Sequence, residues 1–266
     1  MTIEEKYKNL ITSLQAHETA AIAFSGGVDS TFLCKAALQA LENRTLAITI
    51  VSPLLPQREI DESVALAREL GIEHLVIREE DIDEAVATNP PDRCYQCKRR
   101  YFSRILKTAR DRGIDVVLDG SNLDDLQDYR PGLRALEELR IQSPLRDAQL
   151  TKEDIRLLSQ KLGLPTWNKS AFACLATRIP YGQRIDRRTL GKIEQAEELL
   201  RAQGFHQYRL RVHGDIARLE VAPEERHLFF NETTLNSLSR AIKALGFLYV
   251  AFELEGYISG SMNRTL

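Results

Sequence analysis

The chain is short of several features that would narrow its class at once. No uninterrupted apolar run approaches the roughly 20 residues a membrane-spanning helix needs. The opening stretch MTIEEKYKNLITSLQ has no basic-then-apolar leader pattern. A cytoplasmic location without membrane contact is therefore expected. Positive charge is not in excess: 36 Lys+Arg against 38 Asp+Glu gives −2, so no global field draws the chain to nucleic acid. There is no internal repeat and no low-complexity segment. Cysteines number four, at 34, 94, 97 and 174. In a reducing compartment they are expected to be core fillers, metal ligands or reactive thiols. The histidines, His17, His74, His206, His213 and His227, all lie away from the cysteine segments in sequence. A zinc site on those cysteines would thus need folding to bring in a fourth ligand.

What is there is an ordinary globular composition, 266 residues with 43% hydrophobic and 28% charged. Short apolar runs alternate with amphipathic ones. AAIAF (Ala20 to Phe24), TLAITIV (Thr45 to Val51), EHLVI (Glu73 to Ile77) and DVVLDG (Asp115 to Gly120) read as strands, and LRIQSPL (Leu139 to Leu145) as a possible fifth. Helices are predicted after the first strand, over Arg58 to Gly71, over Cys97 to Gly113, and after Thr151 and Asp154, which form a capping-box pattern. Such alternation predicts an α/β fold, a parallel twisted sheet with helices on both faces. From about Gly182 the pattern changes. A helix, a hairpin over Tyr208 to Ala222, a helical stretch PEERHLFFNETTLNSLSRAIKALG and a last strand FLYVAFELEGY suggest a smaller α+β domain. The expected division is 1–178 and 179–266.

FSGGVDST (Phe24 to Thr31) joins the first strand to the first helix. Gly26 and Gly27 let the backbone approach a ligand, the helix start aims N–H groups at an anion, and Ser25 and Ser30 add hydroxyls. Asp29 would sit oddly beside a phosphate unless it holds a cation. The loop lacks the lysine of a Walker A loop and the spacing of G-x-G-x-x-G. Ser52 and Gly120 end the second and fourth strands and are expected at the same sheet edge. Asp124 and Asp125 in DGSNLDD have the oxygen ligands Mg²⁺ takes. S-G-G-x-D-S after a first strand resembles the PP-loop of the ATP pyrophosphatases, which include GMP synthetase, NAD synthetase and tRNA-thiolating enzymes. The resemblance implies ATP cleavage between the α and β phosphates.

PPDRCYQCKRRYF carries a C-x-x-C pair, Cys94 and Cys97, followed by Lys98. Taken alone, the pair fits a metal site, a redox dithiol, or a nucleotide-responsive sensor. Lys98 either belongs to a solvated basic face or reaches a phosphate. Cys174 lies among small apolar residues, and Arg178 close by favours a thiolate. Arg209 and Arg211 share one face of a strand and suit either solvent or a nucleotide phosphate, with Glu194 or Glu197 on the preceding helix as further candidates. Cys34 reads as core filler.

SGGVDS, DGSNLDDLQDYRPG, ACLATRIPYG and ELEGYISGSMN together resemble the LarE family, over nearly the whole chain from Ser25 to Asn263. The first motif is general to ATP pyrophosphatases, and the later ones are more specific. The resemblance implies an ATP-dependent sulfur transferase that adenylates a carboxylate of pyridinium-3,5-biscarboxylic acid mononucleotide and converts it to a thiocarboxylate for the nickel-pincer nucleotide. One family variant sacrifices the sulfur of a cysteine matching Cys174. The other holds a [4Fe-4S] cluster on three cysteines, here Cys94, Cys97 and Cys174. Further implications are ATP and Mg²⁺ as cofactors, and Lys98, Arg178, Glu197, Arg209 and Arg211 at the substrate. A homo-oligomer, by resemblance a hexamer, and an external sulfide source follow too. A tRNA-thiolating enzyme is the rival reading, disfavoured by the charge balance.

Overall fold

The computed structural model describes residues 1–127, 131–170, 173–258 and 260. Positions 128–130 of the DGSNLDDLQDYRPG motif, 171–172 before ACLATRIPYG, and 259 and 261–263 of ELEGYISGSMN lie outside the described residues. The chain forms two compact units, Met1–Glu80 with Asp92–Phe172, and Asp81–Pro91 with Ala173–Leu266. Among the described residues, no helix is long and apolar enough to cross a membrane.

In chain order the first unit begins with α1 (Ile3–Gln15), β1 (Ala20–Ala23), α2 (Val28–Leu41), β2 (Thr45–Val51), α3 (Gln57–Leu70) and β3 (Glu73–Arg78). The short α4 (Glu84–Ala87) belongs to the second unit. The first unit resumes with α5 (Arg93–Arg110), β4 (Val117–Leu118), α6 (Pro131–Glu138), α7 (Pro144–Asp147) and α8 (Lys152–Lys161). Its four strands are parallel in the order β3-β2-β1-β4. The alternation of side chains across the strands sorts them into two cores. Ala20, Ile22, Ala47 and Leu118 pack with α1, α2 and α8, through Leu10, Phe32, Leu33 and Ile155. Ala21, Leu46, Ile48 and Val117 face α5 and α6, through Phe102, Ile105 and Leu136. Helices thus cover both faces, as expected, and every residue of β2 is buried. Cys34 is fully buried in the first of these cores, and burial pushes its thiol pKa up.

Three local expectations change. The fifth strand over Leu139 to Leu145 is reduced to one parallel bridge between Gln142 and Leu118, because Pro144 opens α7 two residues later. α5 starts at Arg93 rather than Cys97. Asp92 accepts the Tyr95 N–H at 2.8 Å and starts the helix directly after Pro90 and Pro91. In the second unit the long helix after Pro223 breaks into a 3₁₀ turn (Pro223–Phe230) and α10 (Glu232–Ala244). Asn231 caps α10 by accepting the Thr233 and Thr234 N–H groups.

That second unit otherwise contains a 3₁₀ turn (Leu175–Arg178), α9 (Arg187–Ala202), β5 (Tyr208–His213), β6 (Ile216–Val221) and β7 (Tyr249–Phe252). β5 and β6 form the expected antiparallel hairpin, turned at Gly214, whose φ is +59°. β7 then pairs parallel to β6, with α10 as part of the crossover. Phe229 stacks between Phe205 and Phe252, 4.6 Å from each ring centroid.

Leu118 is central to the first unit: it pairs with Ile22, bridges Gln142 and is fully buried. Leu118→Ala is expected to lower unfolding free energy by about 2–5 kcal/mol, measured by urea denaturation. A loss below about 1 kcal/mol would show that β4 contributes little to the core.

Candidate active site

Strand order locates the working edge. The chain moves from β1 outward through β2 to β3, then returns to place β4 on the other side of β1. The switch point lies between β1 and β4, and their carboxyl ends lead into Ser25 and Gly120. The Phe24 N–H donates to the Ile48 carbonyl at 2.9 Å, so the ladder runs up to the loop itself. Gly26 has φ +68°, the left-handed region, and a Cβ there would stand 2.9 Å from the Ser63 Cβ on α3. Gly27 is the N-cap of α2 and provides no side-chain cap for the first-turn amides. Ser25 Oγ and Ser30 Oγ lie 3.1 Å apart, and Ser30 Oγ also accepts the Ser25 N–H. Ser52, at the end of β2, is buried and accepts the Leu54 N–H at 3.3 Å.

The opposite wall approaches just as closely. A Cβ on Gly120 would lie 3.1 Å from the Ser30 nitrogen and 3.3 Å from the Asp29 Cβ. Buried Asp119 holds this wall in place by accepting from Ser121 Oγ at 2.5 Å and Ser143 Oγ at 2.6 Å. Asp29 accepts from Lys152 Nζ at 2.5 Å and from Asn122 Nδ2 at 3.4 Å. Asp124 accepts the Lys152 N–H at 2.8 Å, and Asp125, which is buried, accepts the Asn122 N–H at 3.0 Å. From the α3 side, Lys169 Nζ bridges Glu59 and Glu62, each at 2.8 Å, and donates to the Gly26 carbonyl at 3.4 Å. Burial alone would lower the Lys169 pKa, but the two carboxylates outweigh it and raise the ammonium above its ordinary value.

Sequence reasoning missed Lys152, Asn122, Asp119 and the Lys169 bridge. Lys152 was visible only as the residue after a capping-box threonine, and its reach to Asp29 spans 123 positions.

Cys94 lies in the first turn of α5 and Cys97 one turn further on, and both are partly buried. With Lys98 they occupy positions i, i+3 and i+4, one helix face. The Lys98 stem lies across Gly132 of α6, where a Cβ would be 2.7 Å from the Lys98 Cδ. Farther along the basic run, Arg100 and Arg104 pair with Glu79, each at 2.9 Å. Cys174 stands in the second unit as the N-cap of the Leu175–Arg178 turn. Among the described residues, no three His, Cys, Asp or Glu side chains gather as a metal-holding group.

The second unit brings Arg178, Glu197, Arg209 and Arg211 together. Arg178 is 0% exposed and grips Glu197 with two 2.9 Å bonds. Its Nη1 donates to the carbonyls of Ala173 and Cys174 at 2.6 and 3.1 Å, and so fixes the backbone that carries the Cys174 thiol. Glu197 also accepts the Leu210 N–H from β5 at 3.0 Å. Arg211 pairs with fully buried Glu220 and donates to the Thr177 carbonyl at 2.9 Å. Arg209 lies over the Tyr257 ring, 5.0 Å from its centroid. Burial, and after it the Arg178 charge, pushes the Arg209 pKa down. At 7% and 4% exposure, Arg209 and Arg211 are not on a solvated sheet face, which removes that alternative. Glu220 was missed because an acid in a strand reads as surface until its neighbours are known.

A glycine loop at the switch of a parallel sheet, with the loop after β4 packed on the start of the following helix through Gly120 and Asn122, defines a nucleotide-binding α/β protein of the PP-loop type. The model of the PP-loop domain matches residues 1–129. The chain is 38% identical to the pyridinium-3,5-bisthiocarboxylic acid mononucleotide synthase of Lactiplantibacillus plantarum, an alignment covering 100% of this chain and 96% of that one. It is 41% identical to an uncharacterized protein of Synechocystis sp., covering 99% of both. A glutamine-hydrolyzing GMP synthase of Aeropyrum pernix is 29% identical over 55% of this chain and 31% of its own length. The chain belongs to the LarE family of ATP-dependent sulfur transferases.

Gly26→Ala places a Cβ against Ser63 at a positive φ, a strain of about 1–3 kcal/mol. ATP affinity measured by calorimetry is expected to fall about tenfold or more as the loop shifts. Wild-type affinity in this variant would mean that the Gly26 conformation is not what the nucleotide needs.

Proposed function

We propose that the protein activates a carboxylate of pyridinium-3,5-biscarboxylic acid mononucleotide with ATP and replaces its oxygen with sulfur, a step in nickel-pincer nucleotide synthesis. The full-length similarity to the Lactiplantibacillus plantarum synthase carries this reading. On this reading Ser25, Gly26, Gly27 and Ser30 bind the ATP phosphates through amides and hydroxyls. Ser52 and Gly120 line the same edge. Asp29, with Asp124 or Asp125, would hold Mg²⁺, and the ion would supply positive charge to offset that of the departing pyrophosphate. The substrate carboxylate oxygen attacks the α-phosphorus, the α–β bridging bond breaks, and an acyl-adenylate forms. A sulfur nucleophile then attacks the acyl carbon and AMP departs with the former carboxylate oxygen. AMP is a far better leaving group than hydroxide.

Arg209, Arg211 and Lys98 are the candidate cations for the substrate phosphate. Arg178 belongs to the same group, and through Glu197 and the Cys174 carbonyl it also orients the sulfur-bearing turn. Burial, and after it the Arg178 charge, disfavours the charged Arg209 guanidinium, and a phosphate would offset both costs, which supports an anion site. The 179–266 segment would then serve as a substrate-binding and oligomerisation domain, with a hexamer as the implied assembly.

The cysteines meet the chemical requirement for a [4Fe-4S] cluster in part. Cys94 and Cys97 offer two thiols from one helix face, and Cys174 is the third candidate. Bound by these three, a cluster would leave one iron free of protein thiolate and supply exchangeable sulfide there. Without it, Cys174 itself would be the donor, sacrificed in one turnover. The compartment is expected to be cytoplasmic, and the source of renewing sulfide is a partner still to be identified.

Cys174→Ala is expected to retain substrate-dependent ATP–pyrophosphate exchange while losing thiocarboxylate formation, read by mass spectrometry. Exchange that ignores the dicarboxylate mononucleotide in the wild type would reject the proposed substrate, and exchange driven by tRNA would favour the rival. Anaerobically prepared protein is expected to contain iron and sulfide, and Cys94→Ala should stop after a single turnover at most. Multiple turnovers by that variant would remove the pair from the sulfur-donating machinery.

A further inference from the structure

The phosphate loop carries an acid and no lysine of its own, which for a site meant to hold a polyanion leaves a charge problem. Asp29 lies in the first turn of α2, where phosphate-binding amides point. A carboxylate there repels phosphate unless a cation stands between them. A cation does stand there, the Lys152 ammonium 2.5 Å from Asp29 Oδ2.

We propose that Lys152 is the missing phosphate-binding lysine of this loop. It neutralises Asp29 when no nucleotide is bound, and it moves to the phosphate chain when a metal–nucleotide takes over that carboxylate. This rests on the ATP reading above and extends it to a residue outside the motif.

Three observations support the exchange. The Lys152 backbone is fixed: Thr151 and Asp154 form a reciprocal capping box around it, and its own N–H donates to Asp124 Oδ2 at 2.8 Å. Its side chain is a four-carbon stem with rotatable donors on that fixed base. The Lys152–Asp29 pair is also partly solvated, at 32% and 23% side-chain exposure. A pair of that kind is held weakly enough to exchange partners. Finally, Asp29 has a second partner on its other oxygen, where Asn122 Nδ2 donates to Oδ1 at 3.4 Å. Mg²⁺ arriving with the nucleotide would leave Asp29 paired and free the ammonium for a phosphate oxygen, so charge remains balanced on both sides of the exchange.

The test is binding of inorganic pyrophosphate and ATP, with Mg²⁺ and with chelator, followed by calorimetry. Wild type is expected to bind both ligands with Mg²⁺. Lys152→Met should weaken Mg-pyrophosphate about 10- to 100-fold, the loss of one charge-assisted contact, with its melting temperature close to wild type. Lys152→Arg should retain most of the affinity. Asp29→Asn should tighten metal-free pyrophosphate by releasing the lysine, and adding Lys152→Met should erase that gain. Unchanged pyrophosphate affinity in Lys152→Met would overturn the inference. So would a gain in Asp29→Asn that survives in the double variant, since it would then come only from removing a negative charge. Absence of ATP and pyrophosphate binding in the wild type would instead reject the ATP reading itself.

Discussion

The architecture of the catalytic edge depends on how closely two backbone segments approach at the β1–β4 switch. Gly26 presses on α3 and Gly120 presses on the start of α2, each within about 3 Å of where a Cβ would be. At the start of α2 the spacing is thus set by backbone, not by side chains. Backbone spacing is harder to alter than a side-chain rotamer, so on the proposed function the phosphates would meet a preorganised loop. The two walls are secured from behind by different means. Asp119 ties the Gly120 wall to Ser143 beside α7, and Lys169 ties the Gly26 carbonyl to two carboxylates of α3.

The first unit was readable in outline because its signals are local. Parallel strands buried on both faces show as continuous apolar runs, and S-G-G-x-D-S between a strand and a helix needs only eight residues of context. Gly26 and Gly27 could be assigned a purpose because few other reasons require two glycines there. The boundaries were less legible where tertiary bonds decide them. Asp92 extends α5 backward past both cysteines, which changes Cys97 from a helix opener into a residue one turn after Cys94. Pro144 truncates an apolar run that otherwise reads as a strand.

Charge was the least legible property. Arg209, Arg211 and Glu220 alternate along a hairpin in a pattern that fits a polar outer face equally well. Only the packing of α9 on β5, with Glu197 reaching the Leu210 N–H, shows that this face is interior. Lys152 illustrates the same difficulty, since nothing within ten residues of it refers to Asp29. Ion pairs between distant segments leave no periodicity in a sequence, whereas glycine turns and strands do.

Burying this many charges is costly, and that cost bears on function. Removing a guanidinium and a carboxylate from water costs several kcal/mol each, and mutual attraction seldom returns a surplus over apolar packing of the same volume. Stability alone therefore does not account for Arg178–Glu197 and Arg211–Glu220. Their geometry suggests a different use. Arg178 spends its donors on Glu197 and on the carbonyls flanking Cys174, and Arg211 spends one on the Thr177 carbonyl. Both arginines thus act on the five-residue turn from Cys174 to Arg178, one from within it and one from β5. On the proposed function, a cysteine that takes part in sulfur transfer to a single acyl carbon would need a backbone that cannot drift by an ångström, and apolar packing cannot specify carbonyl directions as a planar guanidinium does. On that reading the buried charges trade stability for the fixed position of one cysteine, leaving Arg209, which donates to the Tyr208 carbonyl and lies over the Tyr257 ring, as the arginine for the substrate phosphate.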